Sequence, residues 1–227
     1  MLNLLKIPAI CLIASILIIA PANAGYQAIG SCRCSCPETN FDVLEVRNNS
    51  LYNKLKGKII IRSEGNGEVY YIGLDKKIYY LGNKENFYSN LKTLSYGITS
   101  SDIKKIKAGI LKMNERDTDK DGLSDQFETA IGTDPTNFNT DGDRYSDFTE
   151  ITNGYNPNGK GKLPISKYVT GRMQGRILTQ VDNHSYHWYI NPGNGRRYFL
   201  NSNLDALEIV KKLGIGISEY NFYTLTK

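Results

Sequence analysis

Two stretches of the chain alternate apolar runs with turn residues in the same order. In the first, Lys58–Arg62 (KIIIR) reads as a short strand and Glu64-Gly65-Asn66-Gly67 as a turn. Glu68–Ile72 (EVYYI) follows as a second strand, Gly73–Lys76 as a second turn, and Ile78–Leu81 (IYYL) as a third strand. From Lys84 the apolar period becomes helical, with Phe87, Leu91 and Leu94 on one face. Gly97 interrupts that pattern, and Ser100 or Ser101 is placed to cap a further short helix carrying Ile103 and Ile106. Ahead of the block, Pro37–Ser50 is polar and mixed, and reads as a linker or edge segment.

The same order returns near the C-terminus. Gly57-Lys58-Ile59-Ile60 is echoed by Gly175-Arg176-Ile177-Leu178, and Val69-Tyr70-Tyr71-Ile72 by His187-Trp188-Tyr189-Ile190. Ile78-Tyr79-Tyr80-Leu81 corresponds to Arg197-Tyr198-Phe199-Leu200, and Phe87, Leu91 and Leu94 to Ala206, Val210 and Leu213. Gly97-Ile98-Thr99 corresponds to Gly216-Ile217-Ser218, and one residue inserted around Gly193-Asn194-Gly195 keeps the two copies in register. The pattern predicts a duplicated β-meander/helix unit at residues 55–108 and 173–227, each copy too small to be very stable alone. Residues 158–172 read as a linker that opens on the flexible stretch Asn158–Leu163.

Between the copies the pattern turns acidic. Asp117, Asp119, Asp121, Gly122, Asp125 and Glu128 stand at positions 1, 3, 5, 6, 9 and 12 of a calcium loop of EF-hand type, with the backbone carbonyl of Leu123 at position 7. Alternate residues of a tight loop point inward, and a hard cation takes six to eight oxygens at about 2.3–2.6 Å. Carboxylates this dense repel one another unless a cation lies between them. A shift of 22 residues, without a gap, carries Asp119, Asp121, Asp125 and Glu128 onto Asp141, Asp143, Asp147 and Glu150. The second loop starts on Asn139, takes its position-7 carbonyl from Tyr145, and has Arg144 where glycine is expected. A left-handed arginine there would be strained by roughly 1–2 kcal/mol, so weaker binding is expected at the second loop. Each loop leads into one helical turn, such as Asp125 to Ile131, and a stop at Gly132-Thr133-Asp134-Pro135 or Gly154-Tyr155-Asn156-Pro157. Asp134 is a further oxygen donor for the second ion.

This segment, Asp117 to Pro157, resembles the bacterial thrombospondin type 3 repeat, an Asp-x-Asp-x-Asp-Gly run followed by later acidic residues. The resemblance implies calcium-dependent, rod-like spacing in secreted or surface-attached proteins, and it departs from the family pattern at Asn139 and Arg144. The hairpin from His187-Trp188-Tyr189-Ile190-Asn191-Pro192 to Arg197-Tyr198-Phe199-Leu200 is similar to the aromatic hairpins of cell-wall-binding repeats, which stack rings on choline or glycan. Tyr70, Tyr79, Trp188 and Tyr198 are therefore either a binding face or, as strand propensity favours, core. His184 and His187 are spaced to face opposite sides of a strand, which argues against a shared metal.

Composition narrows the function classes. The 227 residues are 40% hydrophobic and 22% charged, as in folded proteins, and a net charge of +5 without a long basic run gives no support to a nucleic-acid partner. Residues 1–24 read as a signal peptide: Lys6, an apolar run Ala9–Ala20, then Pro21-Ala22-Asn23-Ala24 as a cleavage site. The run is short of the ~20 residues of a membrane span, and no later stretch is long and apolar enough to be one. Cys32, Cys34 and Cys36, in the 25–54 segment, leave open a disulfide-linked partner chain, a soft-metal cluster, or no defined role. Gly-x-Ser-x-Gly, His-Glu-x-x-His and phosphate-loop motifs are lacking. The sequence thus predicts an α+β protein, exported and non-enzymatic, in which two β-meander/helix modules are joined by a calcium-loop connector over 117–157. Calcium is expected to fix the distance and angle between the modules, and the partners to be cell-wall glycan or another surface protein.

Overall fold

The computed structural model describes residues 42–64, 66–111 and 115–227. The signal-peptide reading and the roles of Cys32, Cys34 and Cys36 fall outside these residues. The chain runs through β1 (Val43–Glu45), α1 (Asn49–Leu55), β2 (Ile59–Arg62), β3 (Val69–Ile72) and β4 (Lys77–Tyr80). After a 3₁₀ turn at Lys84–Asn86 come α2 (Phe87–Thr93), β5 (Tyr96–Ile98), α3 (Ser100–Ile103) and β6 (Ala108–Gly109). The acidic segment contributes α4 (Asp125–Ile131) and α5 (Asp147–Asn153). The remainder is α6 (Lys167–Met173), β7 (Ile177–Gln180), β8 (His187–Ile190), β9 (Arg197–Phe199), α7 (Asn203–Leu213), β10 (Ile215–Ile217) and α8 (Glu219–Thr226).

The class is α+β, built on two five-stranded mixed sheets. Both meanders form as the turn residues dictate: Ile59 pairs with Tyr71 and Tyr71 with Tyr79. At the equivalent positions, Ile177 pairs with Tyr189 and Tyr189 with Tyr198. The copies are not separate bodies, however. β10, from the second copy, runs parallel to β2 of the first, with Gly216 opposite Ile61. β5, from the first, runs parallel to β7 of the second, with Gly97 opposite Thr179. Each copy donates its last strand and helix to the other copy's sheet. β1 and β6 close the far edges on β4 and β9.

Side-chain alternation explains the layering. One face of each sheet turns to a shared core in which Ile59, Val69, Tyr71, Phe87 and Leu91 meet Ile177, Tyr189, Tyr198, Ile209 and Val210. The other face of the first sheet, with Ile60, Tyr70 and Ile72, is covered by Tyr52 and Leu55 of α1 and Phe222 and Leu225 of α8. The other face of the second sheet, with Leu178, Trp188, Ile190 and Phe199, is covered by Ile103 of α3, Val169 and Met173 of α6, and the acidic segment.

Two helices, α1 and α6, were not read from the sequence pattern. Asn48 caps α1 through the Leu51 N–H, and Ser166 caps α6 through the Val169 N–H. Both copies therefore begin earlier than the strand pattern indicates, and all of α6 but Met173 lies inside the stretch read as a linker. The aromatic rings are mostly core: Tyr70, Trp188 and Tyr198 are buried, and Tyr79 is half-buried. Trp188 is fully enclosed, its Nε1 donates to Gln180 at 2.6 Å, and the Arg197 guanidinium lies 4.9 Å from its ring centroid. A glycan-stacking face built on Trp188 is excluded by that burial. His187 is buried against the Tyr88 hydroxyl at 3.3 Å, whereas His184 is exposed beside Asn183, so the two rings form no common site.

Candidate metal centre

The two acidic loops are shaped by their own side chains. In the first, Asp117 accepts from the N–H groups of Lys120 and Gly122, Asp119 from Asp121, and Asp121 from Leu123. In the second, Asn139 accepts from Gly142, Asp141 from Asp143, and Asp143 from Tyr145. Each loop feeds a seven-residue helix, capped at its start by Ser124 or Ser146 and ended by left-handed Gly132 or Gly154. Gly122 takes the left-handed conformation at position 6, φ +103°. Arg144 does not: in the second loop a positive φ falls on Gly142, two residues earlier, where the first loop uses Lys120. The strain expected at Arg144 is therefore absent.

Among the described residues three groups of carboxylates come together, the ligand oxygens of each within 4.8 Å of one another: Asp117, Asp119 and Asp121; Asp121, Glu128 and Asp147; and Asp141, Asp143 and Glu150. The middle group joins the two loops. Asp147, at position 9 of the second loop, accepts there from the Thr140 N–H and hydroxyl at 2.9 and 2.6 Å and also lies beside Asp121 and Glu128 of the first loop, and the Phe148 N–H donates to Asp121 at 2.9 Å. Asp125, the position-9 residue of the first loop, is in none of the three groups. Its carboxylate accepts from the Thr118 N–H and hydroxyl at 2.8 and 2.7 Å and pairs with Arg116 at 3.2 Å. Asn139 is also turned to the backbone, its amide donating to the Asp143 carbonyl, and Asp134 is held by Thr136. The side chains of Asp125, Asn139 and Asp134 are therefore loop braces in this conformation.

The donor set fits a hard cation. Glu128 is fully buried, Glu150 is 5% exposed, and each has one oxygen that meets no hydrogen-bond donor, as does Asp119. Such orphaned oxygens are unfavourable unless a cation meets them. Burial, reinforced by Asp119, Asp121 and Asp147, pushes the Glu128 carboxyl up to about 8. Burial, then Asp141 and Asp143, takes Glu150 to about 7. Asp119 and Asp121 are raised, first by burial. The carbonyls of Leu123 and Tyr145 remain the position-7 donors by loop position.

The segment is also a structural lid. Leu123, Phe127, Ala130 and Ile131 of the first repeat and Ile151 of the second join the core over the second sheet. The Phe127 ring meets Trp188 at 5.9 Å and Phe199 at 6.0 Å between centroids. The acidic segment is therefore packed onto one sheet, to which both copies contribute strands, rather than strung between two modules. The sequence pattern missed this because Phe127 and Ile131 carry no sign of which surface they cover.

Residues 117–137 match the protein family described as Bacterial TSP3 repeat. That span holds the whole first loop and ends just before the second. No curated protein and no solved structure matches the chain. Repeats of this family bind calcium, and the acidic groups described above could hold a metal ion. Among the described residues, no helix is long and apolar enough to cross a membrane.

Proposed function

We propose that this is an exported calcium-binding structural protein in which calcium locks the acidic segment onto the face of the second sheet. The observation that carries the reading is the Asp121–Glu128–Asp147 group, which draws one carboxylate from the second repeat to two from the first around a buried, unpaired Glu128 oxygen. Asp117, Asp119, Asp121 and Glu128, with Asp147 in place of Asp125, hold calcium at the first loop. Asp141, Asp143 and Glu150 hold it at the second. When bound, the cation supplies charge neutralisation, which the clustered carboxylates need before the segment can close. Extracellular modules commonly bind calcium at about 10⁻⁴–10⁻³ M, a range suited to the secreted or surface location that residues 1–24 indicate.

The geometry redirects the role from spacing to bracing. The modules share one core and exchange strands, so their separation does not depend on the acidic segment. What calcium orders is the cover over Trp188 and Phe199. Calorimetric titration with calcium, beside an Asp119→Ala/Asp121→Ala variant, tests the reading. The wild type is expected to bind and the variant to lose the first-loop site; identical titrations would overturn it.

A further inference from the structure

A surface without carboxylates is assembled around α6. The stretches 103–111, 158–181 and 191–200 hold ten lysines and arginines and no aspartate or glutamate, and the fold brings them together. The Ser166 N–H, at the start of α6, donates to the Lys105 carbonyl at 2.8 Å, and the Arg197 N–H to the Lys107 carbonyl at 2.9 Å. The Arg196 guanidinium reaches the Ala108 carbonyl at 3.0 Å, next to Lys107. Gly195 lies against α6, since a Cβ there would be 2.9 Å from the Thr170 methyl. From this juxtaposition we infer that Lys104, Lys107, Lys167, Arg172 and Arg196, on α6 and the segments beside it, form a binding face for a linear anionic polysaccharide. The inference is independent of the calcium reading.

The charges are uncompensated where they meet. Among the described residues none of these five cations is in an ion pair, whereas the neighbouring Lys105 is held by Asp102 at 2.7 Å. Lys104 and Lys167 are exposed, and Lys107, Arg172 and Arg196 are half-buried. Of the acidic segment, α5 packs beside β6, but its Asp147 and Glu150 are buried. The other four cations of the three stretches are engaged elsewhere. Lys160 shares a cavity with Asp143 and Glu150, Lys162 lies over the Tyr155 ring, Arg176 over Tyr96, and Arg197 is buried over Trp188. Like charges gathered without counter-charges favour a partner that carries repeated negative charge.

Shape and aromatic content select the class. α6 presents Lys167, Tyr168, Gly171 and Arg172 along one side, while its Val169 and Met173 are buried in the core. A Cβ on Gly171 would meet nothing within 4 Å, so this side is open along a helix about 10 Å long. A chain molecule can lie on such a strip. Tyr168 is 67% exposed, and the Arg172 guanidinium, 5.6 Å from its centroid, covers one face of the ring. The other face is left for a sugar ring to stack on. Because α6 lies flat on the sheet, it is not free to enter a groove of duplex DNA, and one ring falls short of the stacking platform that holds a single strand. At the start of α6, Ile165 is exposed by 42%, too little apolar surface to enter a bilayer.

The test is fluorescence anisotropy on the full chain in saturating calcium, with labelled heparin, hyaluronan, neutral dextran and duplex DNA, beside co-sedimentation with phosphatidylglycerol vesicles. Heparin, hyaluronan or both should bind and dextran should not, and the two anionic glycans distinguish sulfate from carboxylate recognition. Glycan binding should weaken about tenfold from low to physiological salt. Lys104→Gln/Lys107→Gln/Lys167→Gln should weaken it about tenfold, and Lys54→Gln/Lys77→Gln/Lys84→Gln, an equal loss of charge on the first copy, at most about twofold. Tyr168→Ala should weaken it severalfold, and Tyr168→Phe should restore it. Equal losses in the two triple variants, no loss in Tyr168→Ala, tighter binding of DNA or vesicles, or no glycan binding would each overturn the inference. Calorimetry should show the first triple variant binding calcium as the wild type does, which establishes that it is folded and lets the calcium reading stand or fall separately.

Discussion

Gly57 and Gly175, equivalent residues of the two copies, pack backbone to backbone: a Cβ added to Gly57 would lie 2.4 Å from the Gly175 Cα, and one on Gly175 would lie 2.7 Å from the Gly57 Cα. Around this contact the bonds are reciprocal. The Tyr71 hydroxyl donates to the Gly175 carbonyl at 2.5 Å, and the Tyr189 hydroxyl to the Gly57 carbonyl at 2.9 Å. Both glycines have φ of +76°. Gly57→Ala or Gly175→Ala therefore meets both a left-handed backbone and a backbone clash, and is expected to destabilise by at least ~2 kcal/mol. Tyr71→Phe and Tyr189→Phe, each losing one buried hydrogen bond, should cost about 1 kcal/mol or somewhat more. Urea unfolding of the four variants checks the order.

Asp147 and Asp125 make opposite predictions about the first calcium. Both residues brace the threonine at position 2 of their loop, Asp125 Thr118 and Asp147 Thr140, but Asp147 also joins Asp121 and Glu128, so Asp147→Asn should weaken first-loop calcium binding about tenfold, or roughly 1.4 kcal/mol. Asp125→Asn should affect it less. Competition against a chelating dye measures both; a larger loss in Asp125→Asn would restore the sequential loop assignment.

Chelation has its own optical signature. Trp188 is the single tryptophan and is covered by Phe127 from the first repeat. Removing calcium should loosen α4, let water reach the indole, and red-shift its emission, with a lower melting temperature. Phe127→Ala should lower stability by about 3–5 kcal/mol and blunt the emission change. An indole signal indifferent to chelation would mean that the lid stays closed without the ion.

What the sequence made legible was local. Asp125–Ile131 could be read to the residue because the signals that bound it, Ser124 and Gly132, are its immediate neighbours. The meanders were legible because their turns lie between their strands. Strand exchange was not: Ile215-Gly216-Ile217 is three residues long with a glycine at its centre, and its partner β2 lies far back in the chain. Helices α1 and α6 did leave a signal, since Asn48 and Ser166 stand at the same offset from Gly57 and Gly175. The role of Asp147 was hidden by the regularity of the repeat, which implies that each loop serves itself.

Two buried groups in the second copy oppose each other in pH dependence. Burial lowers His187 from its usual 6.5 to about 4, so unfolded chains bind the extra proton and stability falls as pH drops from about 6.5 towards 4. Burial raises Asp205 from 3.8 to about 6, so the native state holds its proton more tightly and stability is gained over much the same descent. In saturating calcium, His187→Gln should therefore become relatively more stable than wild type on acidification, and Asp205→Asn relatively less. Each difference can change by at most ~1.4 kcal/mol per pH unit. Urea midpoints at pH 7 and pH 4.5 give both slopes; equal slopes in all three proteins would exclude these residues as the titrating groups.

Strand exchange also predicts how half of the molecule behaves. Residues 108–227 keep β6, both acidic loops and the whole second meander, but β10 and α8 have lost their acceptor β2 and β7 has lost β5. An exposed β7 edge and an unplaced β10 are complementary within the same fragment, since β10 is the counterpart of β5. In calcium the fragment should pair with a second copy, each chain placing β10 beside β7 of the other, with Gly175 against Gly175 at the centre. Light scattering should report a dimer that Gly175→Ala dissociates. A folded monomer would show that the second copy can satisfy its own sheet edge, and that exchange is a consequence of having two copies in one chain rather than a requirement of the unit.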